Sequence, residues 1–208
     1  MSAMILKNTD KSSEFANFFT NLTACFGDLA VFEQKIQQIA EIAKIDLSRY
    51  QIDHLAVRMN SNELAEQWRA LLLNGSTLLK ESEVNGRPIG LFTLNQPLNF
   101  CGQQVSVIEL PFPKGKIYAE QGWEHIELVV PMLENESVED WCKRIDSHFS
   151  LQNNPELKVK FSQPQVNGER LPNPSVAISL KNATYRNFCC LKLHPYDINT
   201  IVCSESNL

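Results

Sequence analysis

This sequence of 208 residues lacks several features that mark particular classes of protein. Its six cysteines contain no Cys-x-x-Cys pair, and in a chain of this length they do not indicate a disulfide scaffold. No run of lysine or arginine occurs and the net charge is −5, which argues against a nucleic-acid partner. The apolar stretch from Phe15 to Phe32 is interrupted by Asn17, Asn21 and Asp28, so we expect no membrane span. The first residues show no signal-peptide pattern, and we therefore expect a cytoplasmic protein.

Hydrophobic residues make up 43% of the sequence, which is enough to bury a core. Apolar residues recur at three- and four-residue steps from Phe15 to Leu29, and again from Phe32 to Ala43. This spacing predicts two amphipathic helices. We expect residues 1–50 to form a helical cover over the remainder of the chain.

A short segment with histidine in second place appears twice, as Asp53-His54-Leu55-Ala56-Val57 and as Glu124-His125-Ile126-Glu127-Leu128. Each copy runs acid, histidine, branched apolar, variable, branched apolar, and we interpret both as strands. Alternate residues of a strand lie on one face, so His54 shares a face with Ala56, and His125 with Glu127. Two imidazoles at equivalent places in two copies of a module can converge on one point. Such a pair is suited to hold a divalent metal ion.

Three further elements repeat in the same order after each histidine. They are a helical pattern at 63–72 and 138–149, an Asn-Gly turn at Asn85-Gly86 and Asn167-Gly168, and an apolar closing strand at 105–110 and 188–193. We therefore predict an α+β fold with two tandem β-α-β-β-β modules, residues 51–118 and 119–200, that together form one domain. Their strands would make a cupped mixed sheet, preceded by the helical segment.

The first closing strand carries a carboxylate, Glu109, inside an apolar run. A buried carboxylate is costly unless it is paired or bound to a cation. Aligning the two closing strands places Lys192 at the position of Glu109, with His194 on the same face. We predict His54, His125 and Glu109 as metal ligands. Two imidazoles and one carboxylate suit Fe(II), Mn(II), Zn(II) or Ni(II) and leave positions for water and substrate.

Several segments of the chain resemble the YecM family of bacterial proteins. They are residues 53–58, 107–113 and 122–127, with the Asn85-Gly86 turn and the closing residues 192–195. The fold of that family is similar to the vicinal oxygen chelate superfamily, which includes glyoxalase I, extradiol dioxygenases and bleomycin-resistance proteins. The resemblance implies paired modules that form a glyoxalase-like cup, in which the first and last strands of each module hold a divalent metal.

Carried over position by position, the resemblance places metal ligands at His54, Glu109, His125 and the position that Lys192 holds here. Members of the superfamily with four protein ligands have a carboxylate at that last position. The lysine departs from this pattern, and an ammonium beside a cation costs Coulomb energy. His194, two residues further on, is an alternative ligand.

Three interpretations stay open on the sequence. In the first, the chain is a metal-dependent isomerase, lyase or dioxygenase that acts on a small anionic metabolite, chelated through two adjacent oxygens. Lys192 or Glu127 would then be the catalytic acid–base group. Arg58 and His194 would contact the substrate, with Arg58 on a carboxylate.

In the second interpretation no metal binds. Glu109 then pairs with Lys192, and the cup binds a small anionic metabolite through Arg58. In the third, side chains fill the cup and the chain has a structural or interaction role. The resemblance also allows the two modules to pair within one chain or across a homodimer.

Overall fold

The computed structural model describes residues 2–163, 171–182 and 187–205, with side chains for 13–163, 171–182 and 187–204. Its helices are α1 (Ser2–Phe26), α2 (Leu29–Ala43), α3 (Asn62–Leu73), α4 (Val138–Phe149) and α5 (Ile198–Glu205). Its strands are β1 (Gln51–Arg58), β2 (Ser76–Val84), β3 (Arg87–Phe100), β4 (Gln103–Pro111), β5 (Gly122–Val129), β6 (Leu157–Ser162), β7 (Ser175–Leu180) and β8 (Cys190–His194). A 3-10 turn, Leu47–Arg49, precedes β1.

The two predicted N-terminal helices are present, but Leu29 begins the second helix instead of ending the first. Gly27 adopts a positive φ of 91° directly after α1, a conformation that glycine tolerates and that stops a helix. The carboxylate of Asp28 then accepts a hydrogen bond of 2.8 Å from the amide of Ala30 and caps α2. These local signals override the continuous apolar pattern.

The described strands form one eight-stranded mixed sheet with the order β2-β3-β4-β1-β5-β8-β7-β6. Each half of this order is one β-α-β-β-β module, in which the closing strand (β4 or β8) lies parallel to the first strand (β1 or β5). The modules meet where β1 pairs antiparallel with β5. The prediction of tandem modules in a glyoxalase-like mixed sheet is confirmed, and both modules belong to the same chain.

The predicted turn of the first module joins β2 to β3. Asn85 and Gly86 have φ values of 51° and 76°, and two successive positive φ values are typical of a tight hairpin turn. The corresponding prediction at Asn167-Gly168 lies outside the described residues. Within the described part of the second module, β6 and β7 pair antiparallel, as that prediction requires.

The hydrophobic core lies between helices α1–α4 and the sheet face that carries Leu55 and Val57. At its centre the ring of Phe26 packs edge-on against Trp68 at 4.8 Å and Trp123 at 5.1 Å between centroids. The end of α1 approaches the start of β5 so closely that a Cβ on Gly122 would overlap the carbonyl oxygen of Phe26. The helical segment therefore covers one face of the sheet and leaves the other for a cavity.

All eight strands of the described sheet contribute side chains to a single cavity on the opposite face. The sheet must therefore curve round this cavity, which confirms the predicted cup. Helix α5 adds Ile198, Ile201 and Val202 to the lining. In the described part of the chain, no helix is both long and apolar enough to cross a membrane.

Candidate metal centre and its cavity

The two repeated histidines meet at the junction of the modules. In the antiparallel pairing of β1 with β5, His54 lies opposite Glu127 and Ala56 lies opposite His125. Because alternate residues face the same side, both imidazoles enter the cup, where their ring centroids are 6.3 Å apart. Both side chains are buried, with exposed fractions of 1% and 3%. The structure therefore brings together the pair that the repeat predicts.

Two carboxylates join the histidines. Glu109 reaches the centre from β4, where it pairs with Ala56, and Glu127 reaches it from β5. The Nε2 atom of His54 lies 3.6 Å from Glu109 Oε2 and 3.8 Å from Glu127 Oε1. The Nε2 atom of His125 lies 3.7 Å from Glu109 Oε1 and 3.5 Å from Glu127 Oε1.

One donor atom from each of these four residues lies within 4.8 Å of the other three. Donor atoms about 2.1 Å from an ion in tetrahedral geometry are about 3.4 Å apart. The measured separations are close to that value, so small side-chain movements suffice to close the set round an ion. We call His54, Glu109, His125 and Glu127 the metal-ligand cluster.

The acid before each histidine holds that histidine in place. Asp53 Oδ2 lies 2.9 Å from Nδ1 of His54, and Glu124 Oε2 lies 3.1 Å from Nδ1 of His125. The register of β1 with β5 skips Asp53 on one strand and Glu124 on the other, so each acid is the extra residue of a β-bulge. A bulge lets two consecutive side chains lie on the same side of a strand. In each copy the acid–histidine pair can therefore act as one unit.

These acids direct the Nε2 atoms of both imidazoles toward the cluster. A carboxylate that accepts the Nδ1 proton fixes the ring orientation and makes Nε2 a stronger ligand, as is usual behind metal-bound histidines. The Nε2 atom of His54 is fully buried and makes no hydrogen bond within 3.5 Å in the described chain, and the carboxylates of Glu109 and Glu127 lie just beyond that distance. A buried polar atom without a partner is costly, and a cation among these donors would satisfy it. The residues therefore fit a divalent metal.

The carboxylates of the cluster are ionised. Burial raises the pKa of Glu109, but the neighbouring His54, whose Nε2 lies 3.6 Å away, and the charge of Lys192 lower it to about 2. Burial likewise raises the pKa of Glu127, and the charges of Lys192 and His54 outweigh it and hold that pKa well below its usual value. Both groups thus supply negative charge at neutral pH.

His54 and Lys192 oppose these two charges when no ion is bound. Burial lowers the pKa of His54, but the nearby Glu127 and the hydrogen bond to Asp53 raise it well above its usual value. Burial also lowers the pKa of Lys192, and attraction to Glu127 and Glu109 raises it above the ordinary lysine value. His54 and Lys192 therefore lie against the two carboxylates of the cluster, and the carboxylates of Asp53 and Glu124 lie behind the two histidines.

Lys192 occupies in the second module the position that Glu109 occupies in the first, as the alignment of the two closing strands predicts. It pairs with Glu127 in the parallel register of β5 with β8, just as Glu109 pairs with Ala56 in the first module. Its Nζ lies 2.9 Å from His125 Nε2 and 3.1 Å from Glu127 Oε1. The ammonium therefore binds the same ring nitrogen that a metal would need, and an ion must displace it from His125.

His194 is buried beside the cluster and also lines the cavity. Its Nδ1 lies 3.1 Å from Glu127 Oε2, and its Nε2 lies 3.4 Å from Asp53 Oδ2. The imidazole thus bridges one cluster carboxylate and one supporting carboxylate. This position makes it a support of the cluster at least as much as a contact for substrate.

Arg58 makes its described contacts outside the cavity lining. Its guanidinium donates to the carbonyl oxygens of Glu120 at 2.9 Å and Phe188 at 3.2 Å, and it lies 4.9 Å from the centre of the Tyr118 ring. Arg58 is absent from the described cavity lining. The contact of Arg58 with a substrate carboxylate stays a prediction.

The cavity above the cluster has a volume of about 330 Å³, at the small end of the range for small-molecule sites. His54, Glu109, Glu127 and Lys192 form its floor. Several residues that line or support this site have no role predicted from the sequence. They are Asp53, Glu124, Lys80, Arg87 and Lys160. For the two acids the signal was present, since an acid precedes the histidine in both copies of the repeat.

Comparisons with known proteins agree over most of the chain. The family model described as YecM protein matches residues 21–205. An uncharacterized protein of Haemophilus influenzae is 49% identical over 182 residues, which cover 88% of this chain and 94% of that protein. Protein YecM of Escherichia coli K12 is 35% identical over 181 residues, covering 86% of this chain and 92% of that protein.

A solved structure from structural genomics, Protein EC4020, is 34% identical and has a TM-score of 0.70. The similarity covers 86% of this chain and 90% of that chain. The range matched by the family model includes both modules and every residue of the metal-ligand cluster.

Proposed function

The chain belongs to the YecM family, and we propose that it binds a divalent metal ion and uses that ion to take up a small anionic molecule through two adjacent oxygens. His54, Glu109 and His125 would be the ligands, with Glu127 in reach as a fourth donor. The donor set of two imidazoles and two carboxylates suits the borderline ions Fe(II), Mn(II), Zn(II) and Ni(II). We also propose that the chain is an enzyme of the vicinal oxygen chelate type.

One observation carries this proposal: the buried Nε2 of His54, which makes no hydrogen bond within 3.5 Å in the described chain, lies within 4.8 Å of a donor atom on each of three other side chains. Asp53 and Glu124 support the two imidazoles from behind in matching ways. A core filled only for stability has no need of two ionised carboxylates at its centre, because each costs free energy to bury.

The charges of the cluster support an anionic substrate. His54 would have to hold such an ion through a deprotonated Nε2, because a metal ligand must be deprotonated. The divalent ion and the Lys192 ammonium would then place positive charge beside the carboxylates of Glu109 and Glu127. A bound divalent ion would supply Lewis-acid polarisation of the substrate oxygens.

Lys192 and Glu127 would be the groups that move protons. The ammonium of Lys192, once it leaves His125, can donate to a substrate oxygen that gains negative charge. The ionised Glu127, 3.1 Å from that ammonium, can accept a proton. An acid and a base side by side suit the proton transfers of an isomerase or a lyase, whereas a dioxygenase would use the same ligands to bind oxygen.

Metal content is the direct test. Wild-type protein is purified without a polyhistidine tag, treated with a chelator and titrated with Mn(II), Fe(II), Zn(II) and Ni(II). We expect one ion per chain for at least one of these metals, and we expect the His54→Ala/His125→Ala variant to lose this stoichiometric binding. Elemental analysis and isothermal titration calorimetry measure both quantities.

His148 offers a matched control, since it is exposed on α4 and belongs neither to the metal-ligand cluster nor to the described cavity lining. The His148→Ala variant should bind as the wild type does. If the double variant retains the metal content of the wild type, the ion lies elsewhere and the proposed ligand set is wrong.

A second function is favoured by one contact. The Lys192 ammonium binds both His125 and Glu127, so that a cation of the chain itself already contacts these two residues. The chain would then be a metal-free protein that binds small anionic molecules in the same cavity. Binding of oxalate by the chelator-treated protein, unchanged when Mn(II) or Zn(II) is added, would favour this alternative.

A further inference from the structure

We propose that Lys80, Arg87 and Lys160 form a second anion-binding subsite in the cavity, and that its ligand is a small molecule with an anionic group at each end. This inference rests on the proposed function for one end only, the end that meets the metal-ligand cluster. The far end would carry a carboxylate or a phosphate. We call Lys80, Arg87 and Lys160 the edge cations.

The register of the sheet makes Lys80 and Lys160 equivalent residues of the two modules. Across the first module, Lys80 on β2 pairs with Leu91 on β3, which pairs with Glu109 on β4. Across the second, Lys160 on β6 pairs with Ala177 on β7, which pairs with Lys192 on β8. Glu109 and Lys192 occupy equivalent positions, so the lysines two strands further out do as well.

These two lysines approach one cavity from opposite edges of the sheet. β2 and β6 are the outermost strands of the described sheet, and both lysines line the cavity. Neighbouring strands are about 4.8 Å apart, so each lysine backbone lies about 10 Å along the sheet from its closing strand. Arg87 joins them from the start of β3, where its guanidinium donates to the carbonyl oxygen of Phe112 at 3.3 Å.

The charged residues of the cavity lining are separated by strand. Among the described lining residues, both carboxylates, Glu109 and Glu127, belong to the metal-ligand cluster. In the register of the sheet, Leu91 lies between Lys80 and Glu109, and Ala177 lies between Lys160 and Lys192. The described lining also includes four lysine or arginine side chains, the three edge cations and Lys192. A molecule with an anionic head, a short apolar span and an anionic tail matches this order.

A matched set of probes tests the tail. The three probes are 2-oxopentanoate, 2-oxoglutarate and 2-oxo-4-phosphonobutanoate, which share the same oxo-acid head and end in a methyl, a carboxylate and a phosphonate. Calorimetry on metal-loaded protein at low ionic strength should show that at least one dianion binds about tenfold more tightly than the methyl compound. Two ion pairs that are partly exposed to solvent can together contribute a difference of this size. The tighter of the two dianions identifies the tail as a carboxylate or a phosphate group.

The Lys80→Met/Lys160→Met variant should reduce this preference to less than about threefold, while oxalate, which has only the chelating head, should bind as before. Lys158→Met is the matched control, because Lys158 is exposed on the same strand as Lys160 but is absent from the described cavity lining. It should keep the full preference. Added salt should weaken the dianions more than 2-oxopentanoate, because salt screens exposed charges.

Failure of this inference can be told from failure of the proposed function. If oxalate binds the metal-loaded wild type but the dianions bind no better than 2-oxopentanoate, the edge cations are not a subsite and the metal proposal stands. If no metal binds, the same three probes are compared on the metal-free protein. A dianion preference that disappears in the double variant then supports the subsite alone, and its persistence in that variant overturns it.

Discussion

The two modules share one backbone plan but carry different charges at equivalent positions. In the first, the closing strand supplies Glu109, and Ala56 stands two residues after the histidine. In the second, the closing strand supplies Lys192, and Glu127 stands two residues after the histidine. Each module therefore delivers one histidine and one carboxylate to the centre, but only the second delivers a competing cation. The duplicated backbone fixes where side chains meet, and two substitutions decide what they can bind.

The supporting acids differ in the same way. Asp53 accepts from Ile198 N of α5 at 3.1 Å, in addition to holding His54 and lying near His194. Burial raises the pKa of Asp53, but the hydrogen bonds from His194 and His54 lower it to about 2. Glu124 instead faces Arg58 at 3.7 Å and makes no such link to α5. The first module thus ties its histidine to the helix that lines the cavity.

The largest effect should come from the carboxylates themselves. We expect Glu109→Gln to weaken metal binding by more than about a hundredfold, which exceeds the usual effect of residues behind a ligand. The substitution removes the negative charge of one ligand and leaves the Lys192 ammonium, which repels a cation, in place. Glu127→Gln should cost less, since Lys192 and His194 already occupy its oxygens. Calorimetry measures both variants, with Glu139→Gln on the exposed face of α4 as the control. A greater loss of metal affinity for Glu127→Gln would show that Glu127 is the stronger ligand, and that the second module contributes more to metal binding than the first.

Replacing the competing cation should have the opposite sign. Lys192→Met should tighten metal binding by about tenfold to a hundredfold, because the ion no longer displaces an ammonium from His125. Lys192→Glu should tighten it further, since it restores a carboxylate and makes the two closing strands alike. Competition against a fluorescent chelator gives these affinities, and an unchanged affinity in both variants would show that Lys192 does not compete with the ion.

The supporting acids offer a smaller and more local comparison. Asp53→Asn and Glu124→Gln should each weaken metal binding by about tenfold, in the usual range for residues behind a ligand. Asp53→Asn should also lower the melting temperature of the metal-free protein, because it disturbs bonds to His54, His194 and α5 together. Glu124→Gln should leave that temperature almost unchanged. Equal melting temperatures of the two variants would show that Asp53 stabilises the metal-free protein no more than Glu124 does.

The pH dependence should be the most gradual effect. The pKa of His54 is raised well above 6.5 in the folded protein, so its imidazole must lose a proton before an ion can bind. Metal affinity should therefore rise with pH, by at most about tenfold per unit, and level off above the folded pKa of His54. The metal-free protein should show the reverse trend in stability.

That reverse trend follows from linkage. A raised folded pKa contributes stability that is fully present below the unfolded histidine pKa and is lost as the pH rises through the folded value. Denaturant unfolding of chelator-treated protein at several pH values measures it. Stability that increases over this range would show that His54 is not held as an imidazolium by Glu127 and Asp53.

Much of the centre was predictable because strands have a period of two. The alternation placed His54, His125 and Glu109 on inward positions, and the repeat set them at equivalent points of two modules. The alignment of the closing strands also placed Lys192 at the equivalent of Glu109, and the register agrees. The roles of Asp53 and Glu124 do not follow from this alternation, because a bulge breaks the period of two. Their signal in the sequence is the acid that precedes the histidine in both copies of the repeat.

Arg58 shows the other limit of a period-two argument. Its backbone position follows the face of His54, but a long side chain can leave that face, and the carbonyl oxygens of Glu120 and Phe188 give it better partners. The sequence did not indicate that Lys80 and Lys160 line the cavity. A lysine on a strand edge is ordinarily a solvated residue, and only the curvature of the sheet brings both into one cavity.

The sequence by itself determined the duplicated module, the inward histidines and the opposed pair of Glu109 and Lys192, because these depend on order along the chain and on the alternation of strands. The tertiary structure alone decided that Lys192 binds His125, that Glu127 joins the donors, and that cations from both sheet edges face the same cavity. Those facts depend on the curvature of the sheet and on how far side chains reach between strands that are distant in the chain. The local spacing of residues predicts neither.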